Sequence, residues 1–256
     1  MVVLRPKLTQ SQSFGFVVER ECREKVFEIK GKDNDTSIHD IPKSRNKFNQ
    51  NENVSIKTTQ DKTIYCADVS RFYKYNFEET NTMFVICYTQ GKKYKRVKEI
   101  YEVDYNEKCH KVLFGDLPYE ILQQYVRNVK KIPTKVKGED AKKIFNYLEE
   151  KKKLEQQYKF NIQINPKVDS SQTRVQCSIP NFRVLLKDFI TYKSASNKPN
   201  VIRGIEIAKR YESTRRERGG LTVNKLKDMC RKYKIKGYSK LRKSELVDLL
   251  KSKKIL

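Results

Sequence analysis

Apolar residues recur at helical spacing near both ends of the chain, and as alternating or unbroken runs between them. Residues 11–27 carry an apolar stripe through Phe14, Val17, Val18, Cys22 and Val26, which predicts a helix. The following stretch, GKDNDTSIHDIPKSRNKFNQNEN, is too rich in Asn, Asp and Lys to bury much surface. Short β-like runs come next at 54–58 and 63–66, and Asp68 is placed to cap a short helix through Arg71 and Phe72. MFVICY at 83–88 is a continuous apolar run suited to a central buried strand. Residues 94–103 alternate and continue the sheet, and 118–129 read as a helix with Pro118 near its first turn. Tyr65, Tyr73, Tyr75, Tyr88, Tyr94 and Tyr101 are expected to pack the strand-rich core, with aromatic stacking on single-stranded nucleic acid as the alternative.

The character changes after Lys130. Residues 139–157 form a long charged helix with apolar positions at Ala141, Ile144, Phe145, Leu148 and Leu154, and a mixed region follows at 160–192. The stretch 194–220, ending ESTRRERGG, is polar and Arg-rich, as a tether would be. In 221–250, Leu226, Met229, Cys230 and Tyr233 share one helical face behind a capping Thr222. Gly237 breaks the chain, and a second helix, capped by Ser239, buries Leu241, Leu246, Leu249 and Leu250. The expected division is a core at 1–132, a helical and mixed extension at 133–200, a basic linker at 201–218 and a terminal module at 219–256.

Charge narrows the partners. Lys and Arg number 56 against 31 Asp and Glu, a net of +25, and uncompensated like charge destabilises a compact state unless a polyanion balances it. Residues 219–256 hold ten Lys and two Arg against three acids, yet the excess runs along the whole chain. Any single Lys run can equally be a solvated face. The six cysteines are dispersed without a CxxC pair and only His39 and His110 exist, so a zinc site is not expected. No apolar run approaches the ~20 residues of a membrane span, and no leader peptide is expected. The reading is a soluble intracellular protein with reduced thiols and no membrane partner.

The combination LTV..LK..C.KY.IKGYSKLRKSEL resembles a SAP motif, a helix-extended-helix module found in DNA-binding chromatin, repair and viral proteins. The resemblance implies DNA as the partner and points to Lys236, Tyr238, Lys240, Arg242 and Lys243 as the residues that face it. Backbone amides at the start of the second helix can add phosphate contacts. The plainer reading of the same residues is a generic two-helix tail.

Upstream, the order of elements and the residues Asp40 in HDIP, Ser55 and Lys57 in NENVSIKTT, and Glu19 on the preceding helix resemble the PD-(D/E)XK nuclease superfamily, over about residues 10–105. The implied fold is α+β or α/β, a restriction-endonuclease-like mixed sheet flanked by helices, with the SAP-type module appended. The implied cofactor is Mg²⁺, with Mn²⁺ as a substitute. In a strand, Ser55 and Lys57 point to one face while Val54 and Ile56 point into the core. Asp40, arriving from a neighbouring strand, would set a carboxylate beside them. Mg²⁺ takes one or two carboxylates plus water and substrate phosphate, and Lys57 would orient or stabilise the attacking water. Hydrolysis of this kind needs no His.

One departure stands out: the family's second acid usually occupies the position of Ser55, and a hydroxyl is a weaker, neutral ligand. Glu19 would compensate, with Glu21 as its rival because helix phase cannot be read to one residue; Glu52 lies off the Ser55/Lys57 face. Each residue also has a plain structural role available: a turn-capping Asp40 before Pro42, a solvated strand-end Lys57, an exposed helix acid at Glu19.

The segment NPKVDSSQTRVQC, 165–177, is similar to one that recurs in viral restriction-nuclease-like proteins. Lys167, Gln172, Arg174 and Gln176 could reach phosphates or base edges, where Arg reads guanine and Gln reads adenine; a polar hairpin is the simpler alternative. The functional expectation is a metal-dependent DNA endonuclease, restriction-like or DNA-processing, of large-DNA-virus type, acting in host cytoplasm, nucleus or virion. The alternative is a non-catalytic architectural or packaging protein with a degenerate nuclease fold. A palindromic target would imply a homodimer, although no dimer seam is legible.

Overall fold

The computed structural model describes residues 11–30, 39–60, 62–91, 93–133, 139–168, 173–212, 223–233, 235, 237–239, 241–253 and 255, as backbone alone at 11–13, 139–145, 225 and 243. They fall into two compact units, within Gln10–Ser213 and within Thr214–Leu256.

The larger unit is a mixed α+β structure around a five-stranded sheet. Strand β3 (Thr80–Gln90) holds the apolar run and lies between β1 (Glu52–Thr59), to which it is parallel, and β4 (Tyr94–Asp104), to which it is antiparallel. β7 (Ile190–Lys193) and β10 (Arg210–Glu212) both pair with β4, leaving β1 at the opposite edge. Register sets the faces: Val54 and Ile56 line up with Thr82 and Phe84, and Ser55 and Lys57 with Met83 and Val85.

On the Ile56 face, Phe84, Ile86, Val97 and Ile100 pack under helix α1 (Ser11–Glu21) through Phe14 and Val18. This helix runs on into a π-helical turn, Cys22–Val26, that adds Cys22 and Val26 to the same core. On the other face, Met83, Val85 and Tyr101 meet a three-stranded antiparallel sheet of β2 (Ile64–Asp68), β6 (Thr173–Ile179) and β5 (Gln163–Val168). Helices α2 (Val69–Tyr73), α3 (Glu107–Phe114), α4 (Tyr119–Lys130) and the short α6 (Phe182–Leu185) complete that layer. Asp68 caps α2, its Oδ1 accepting from the N–H groups of Ser70 and Arg71 at 2.9 and 3.1 Å. In α4, Leu122, Tyr125, Val126 and Val129 fall at the spacing of one helical face and are buried. Helix α5 (Glu139–Tyr158) adds Leu154 and Tyr158 to the edge of the core. Gly115, at φ +57, closes α3 where a Cβ would stand 2.4 Å from the carbonyl oxygen of Tyr158, so both conformation and space demand glycine.

Two expectations need correction. Of the linker at 201–218, the first twelve residues are folded: β8 (Val201–Ile202) and β9 (Ile205–Glu206) make a hairpin, and β10 joins the main sheet. What holds them is a half-buried cation, as Arg203 reaches the buried carboxylates of Glu52 at 2.6 Å and Glu102 at 3.3 Å. An Arg-rich composition therefore reads as tether while one of its arginines is an internal anchor. Tyr65 and Tyr94 do not pack the core: they are 69% and 41% exposed, because each projects from the outward side of an edge or terminal strand position. Tyr88 and Tyr101 are buried.

The smaller unit has α7 (Val223–Lys232) and α8 (Lys243–Ser252) closed around Leu226, Cys230, Leu246 and Leu250, with Met229, Ile235, Tyr238, Leu241 and Leu249 partly buried against them. Gly237 takes φ +79 in the intervening segment. The second helix starts later than its sequence suggests: Ser239 is not its cap, since α8 begins at Lys243 and Glu245 accepts from the Arg242 N–H at 2.5 Å. Tyr233 is half exposed, because the Ile235 N–H bonds back to the Cys230 carbonyl at 2.9 Å and turns Ile235 over the core in its place. The expected capping residue, Thr222, lies outside the described residues.

All six cysteines are buried and free. Among the described residues no helix is long and apolar enough to cross a membrane.

Candidate active site

Three separate elements bring charge to the free edge of β1. Asp40 precedes the single antiparallel bridge between Ile41 and Val54. It lies in a bend, not on a neighbouring strand, because Pro42, just after the bridge residue Ile41, has no N–H to extend a ladder. Its Oδ2 accepts the outward N–H of Ile56 at 2.5 Å and lies 3.5 Å from the Lys57 ammonium. Arg23, on the π-helical turn, donates to the Asp40 carbonyl at 2.6 Å and so fixes the bend. Beyond it, the Lys43 N–H bonds to Asn53, while Glu79 takes the Asn53 amide and the Lys43 ammonium, both at 2.6 Å, so the 41–46 segment follows the start of β1.

Glu19 enters from α1. Burial pushes its carboxyl up to about 7, and the Asp40 carboxylate adds to that rise; Lys57 and Arg23 pull it partly back. Burial opposes the charge on Lys57, but Asp40, with smaller help from Tyr75 and Cys66, offsets it and leaves the ammonium above the ordinary lysine value. Helix phase separates the two rival acids, because Glu21 is turned away. Its carboxylate accepts the Ala208 N–H at 2.9 Å and pairs with Lys25 at 2.6 Å. Glu52 is in the buried network with Arg203, Thr82 and Asn46 on the opposite face of β1.

Ser55 is buried, on the Lys57 face, and its hydroxyl lies 3.0 Å from the Tyr75 hydroxyl and 3.5 Å from His39 Nδ1. The His39 and Tyr75 rings meet edge to face at 4.8 Å. Burial lowers the His39 pKa and raises that of Tyr75. His39, Tyr75 and Arg23 were not legible as site residues. His39 stands beside Asp40 in sequence, a usable hint, but nothing in the sequence joins Tyr75 or Arg23 to β1.

The two carboxylates come from different elements, and Asp40 adds to the cost of ionising Glu19, which a hard divalent cation would relieve; Mg²⁺ takes one or two carboxylates and fills its remaining positions with water and phosphate oxygen. Glu19 and Asp40 are the residues that could hold it. Among the described residues no group of three or more His, Cys, Asp and Glu is arranged as a self-contained metal cage.

The remaining candidates lie elsewhere. Lys167 and Arg174 face each other across β5 and β6, two residues along from the Asn165–Gln176 pair. Lys167 is exposed, Arg174 and Gln176 half-buried, and Gln172 is outside the described residues. In the small unit Arg242 is exposed, and Tyr238 is half-buried with its hydroxyl near the Arg231 guanidinium. Lys236 and Lys240 are outside the described residues, as is the side chain of Lys243.

The family model of the Rho termination factor, N-terminal domain, matches residues 220–254, which is the two-helix unit. No curated protein and no solved structure matches the chain.

Proposed function

We propose that the chain is a DNA-binding, metal-dependent endonuclease of the PD-(D/E)XK kind, with its two-helix unit as a second hold on the nucleic acid. The observation that carries this reading is the Asp40–Lys57 pair at 3.5 Å on the edge of β1, with the Glu19 carboxyl of α1 within electrostatic reach of both. The mixed α+β sheet, with a helix leading to the edge of β1, supports it as well. Glu19 and Asp40 would hold Mg²⁺ or Mn²⁺, which when bound supplies Lewis acidity toward a phosphodiester and lowers the pKa of its water. The side chains do the rest. Glu19 must give up its proton to ligate, Asp40 keeps Lys57 charged, and Lys57 faces the place where a nucleophilic water or scissile phosphate would lie.

The match of residues 220–254 to the Rho termination factor's N-terminal domain, and the net charge of +25, support a nucleic-acid partner. Two linked contacts on one polymer raise effective concentration, so a weak module lengthens the dwell of the core on its substrate.

The test is cleavage of plasmid and oligonucleotide DNA with Mg²⁺, Mn²⁺ or EDTA, by the wild type and by Asp40→Ala, Lys57→Ala and Glu19→Gln. Metal-dependent cleavage lost in all three is the expected result. Cleavage that survives them would sink the assignment. A second reading, a non-catalytic DNA-binding protein, is favoured by one observation: Asp40 Oδ2 is already engaged by Ile56 and Lys57, and Ser55 by Tyr75. A wild type that binds DNA and cleaves nothing with either metal would select it.

A further inference from the structure

The three-stranded sheet of β2, β6 and β5 buries one face in the core and turns the other outward. Cross-strand register defines that outer face. Tyr65 stands opposite Ser178, which stands opposite Gln163; Asn165 stands opposite Gln176, and Lys167 opposite Arg174. Residues between these, Ile64, Cys66, Ile164, Val175, Cys177 and Ile179, are buried in the core beneath. The outer face is therefore amide and cation, with one aromatic ring lying on it; Ser178 is buried beneath, its hydroxyl donating to Gln163 and accepting from Asn165. Among the described residues, none of these outward positions is acidic, and Asp68, which stands opposite Gln176, is engaged in capping α2 and in pairing with Lys130.

Tyr65 is the residue that needs explaining. A tyrosine 69% exposed at the second position of a five-residue strand gains little from burial, and its strand neighbours Ile64 and Cys66 are almost wholly buried. An open aromatic face beside amides and cations matches the requirements of an unpaired nucleotide: a ring to stack on, groups to reach the base edge, and positive charge for the backbone. At ~4.8 Å between strands and ~3.3 Å per residue, Tyr65 lies about 15 Å from the Lys167–Arg174 pair. That is the length of about four nucleotides at the ~3.4 Å stacked spacing. A duplex keeps its bases stacked inside and offers the ring nothing.

We infer that this face binds a single-stranded segment of nucleic acid, a base stacking on Tyr65 and the strand running toward Lys167 and Arg174. The inference rests on the nucleic-acid-binding part of the proposed function and not on cleavage. It is tested in EDTA, where the metal chemistry is silent, so its failure and that of the nuclease reading are told apart. The experiment uses the full chain with a fluorescein-labelled oligothymidylate and with a dA·dT duplex of equal length, followed by anisotropy. Tyr65→Ala should weaken single-strand binding about tenfold and leave duplex binding unchanged, and Tyr65→Phe, which keeps the ring, should bind as the wild type does. Lys167→Ala should reduce the salt dependence of single-strand binding. Photocrosslinking to an iodouracil-substituted strand should label Tyr65 itself, which separates this face from the two-helix unit. Equal affinity of wild type and Tyr65→Ala, an equal loss on the duplex, or crosslinks confined to other peptides would overturn the inference.

Discussion

The Asp40 carboxylate and the Ile56 backbone N–H are joined at 2.5 Å, so one oxygen of a candidate metal ligand also closes a strand edge. The two roles can be separated. Asp40→Asn keeps an acceptor for Ile56 and should cost under ~1 kcal/mol, whereas Asp40→Ala leaves that N–H without its partner and should cost about 1–3 kcal/mol. Both should abolish metal-dependent cleavage. Urea unfolding set beside a cleavage assay reads the two effects, and an active Asp40→Asn protein would show that the negative charge is dispensable.

Glu19 gives the fold a pH dependence of definite sign. Its carboxyl rises from 4.5 to about 7 on folding, so across that window the folded chain holds a proton that the unfolded chain has lost. Stability is therefore greatest below 4.5 as far as this group is concerned, falls as pH rises through 7, and is lowest above it. Glu19→Gln should flatten that slope and stabilise the metal-free protein at pH 8 by about 1–2 kcal/mol, less than the full shift implies because solvent screens a partly exposed group. Added Mg²⁺ should stabilise the wild type and leave Glu19→Gln unmoved. Thermal melts from pH 5 to 8 test both statements, and parallel profiles would refute them.

Arg203 sits between two buried acids. Burial pushes Glu52 up, but hydrogen bonds from Arg203, Thr82 and Asn46 outweigh it and hold the carboxyl below its usual range. Burial likewise raises Glu102, and there Arg203 offsets only part of the rise. Arg203→Ala would strand both carboxylates and should cost about 3–5 kcal/mol near neutral pH. The loss should shrink on acidification, since protonation discharges the two acids. A loss that stays constant with pH would argue against charge as the cause.

The two-helix unit should be removable. It has its own core of Leu226, Cys230, Leu246 and Leu250, and the larger unit has two clusters of its own. A chain ending at residue 213 should keep its main unfolding transition, bind DNA more weakly and show a shallower dependence on salt. Leu246→Ala should do the same to binding, because so small a core has only ~3–5 kcal/mol to lose. An unchanged salt slope in both proteins would remove the unit from the DNA-binding surface.

The sequence was most informative where periodicity and capping agree. The run at 83–88 is the middle of β3, Asp68 caps α2, and Leu226, Cys230, Leu246 and Leu250 form the small core. Legibility failed where a residue's role depends on distant partners. Arg203 looks like linker because its partners, Glu52 and Glu102, lie 151 and 101 residues away. Helix α3 has only eight residues and a weak apolar stripe, and Asn106 and Gly115 supply its boundaries. At the candidate site, the same-face relation of Ser55 and Lys57 follows from strand alternation alone. The choice of Glu19 over Glu21 required the helix phase, and Tyr75 reaches Ser55 only through the turn after α2.

The bridge from Ile41 to Val54 and the bond from Asp40 to Ile56 have one more consequence, which concerns other molecules. An unpaired strand margin is a template on which a second chain can add its own strand. With its outward groups at Val54 and Ile56 already satisfied, β1 offers a newcomer fewer places to register. A chain in which the 39–41 segment lets go would regain them, and the first symptom of damage there would be self-association.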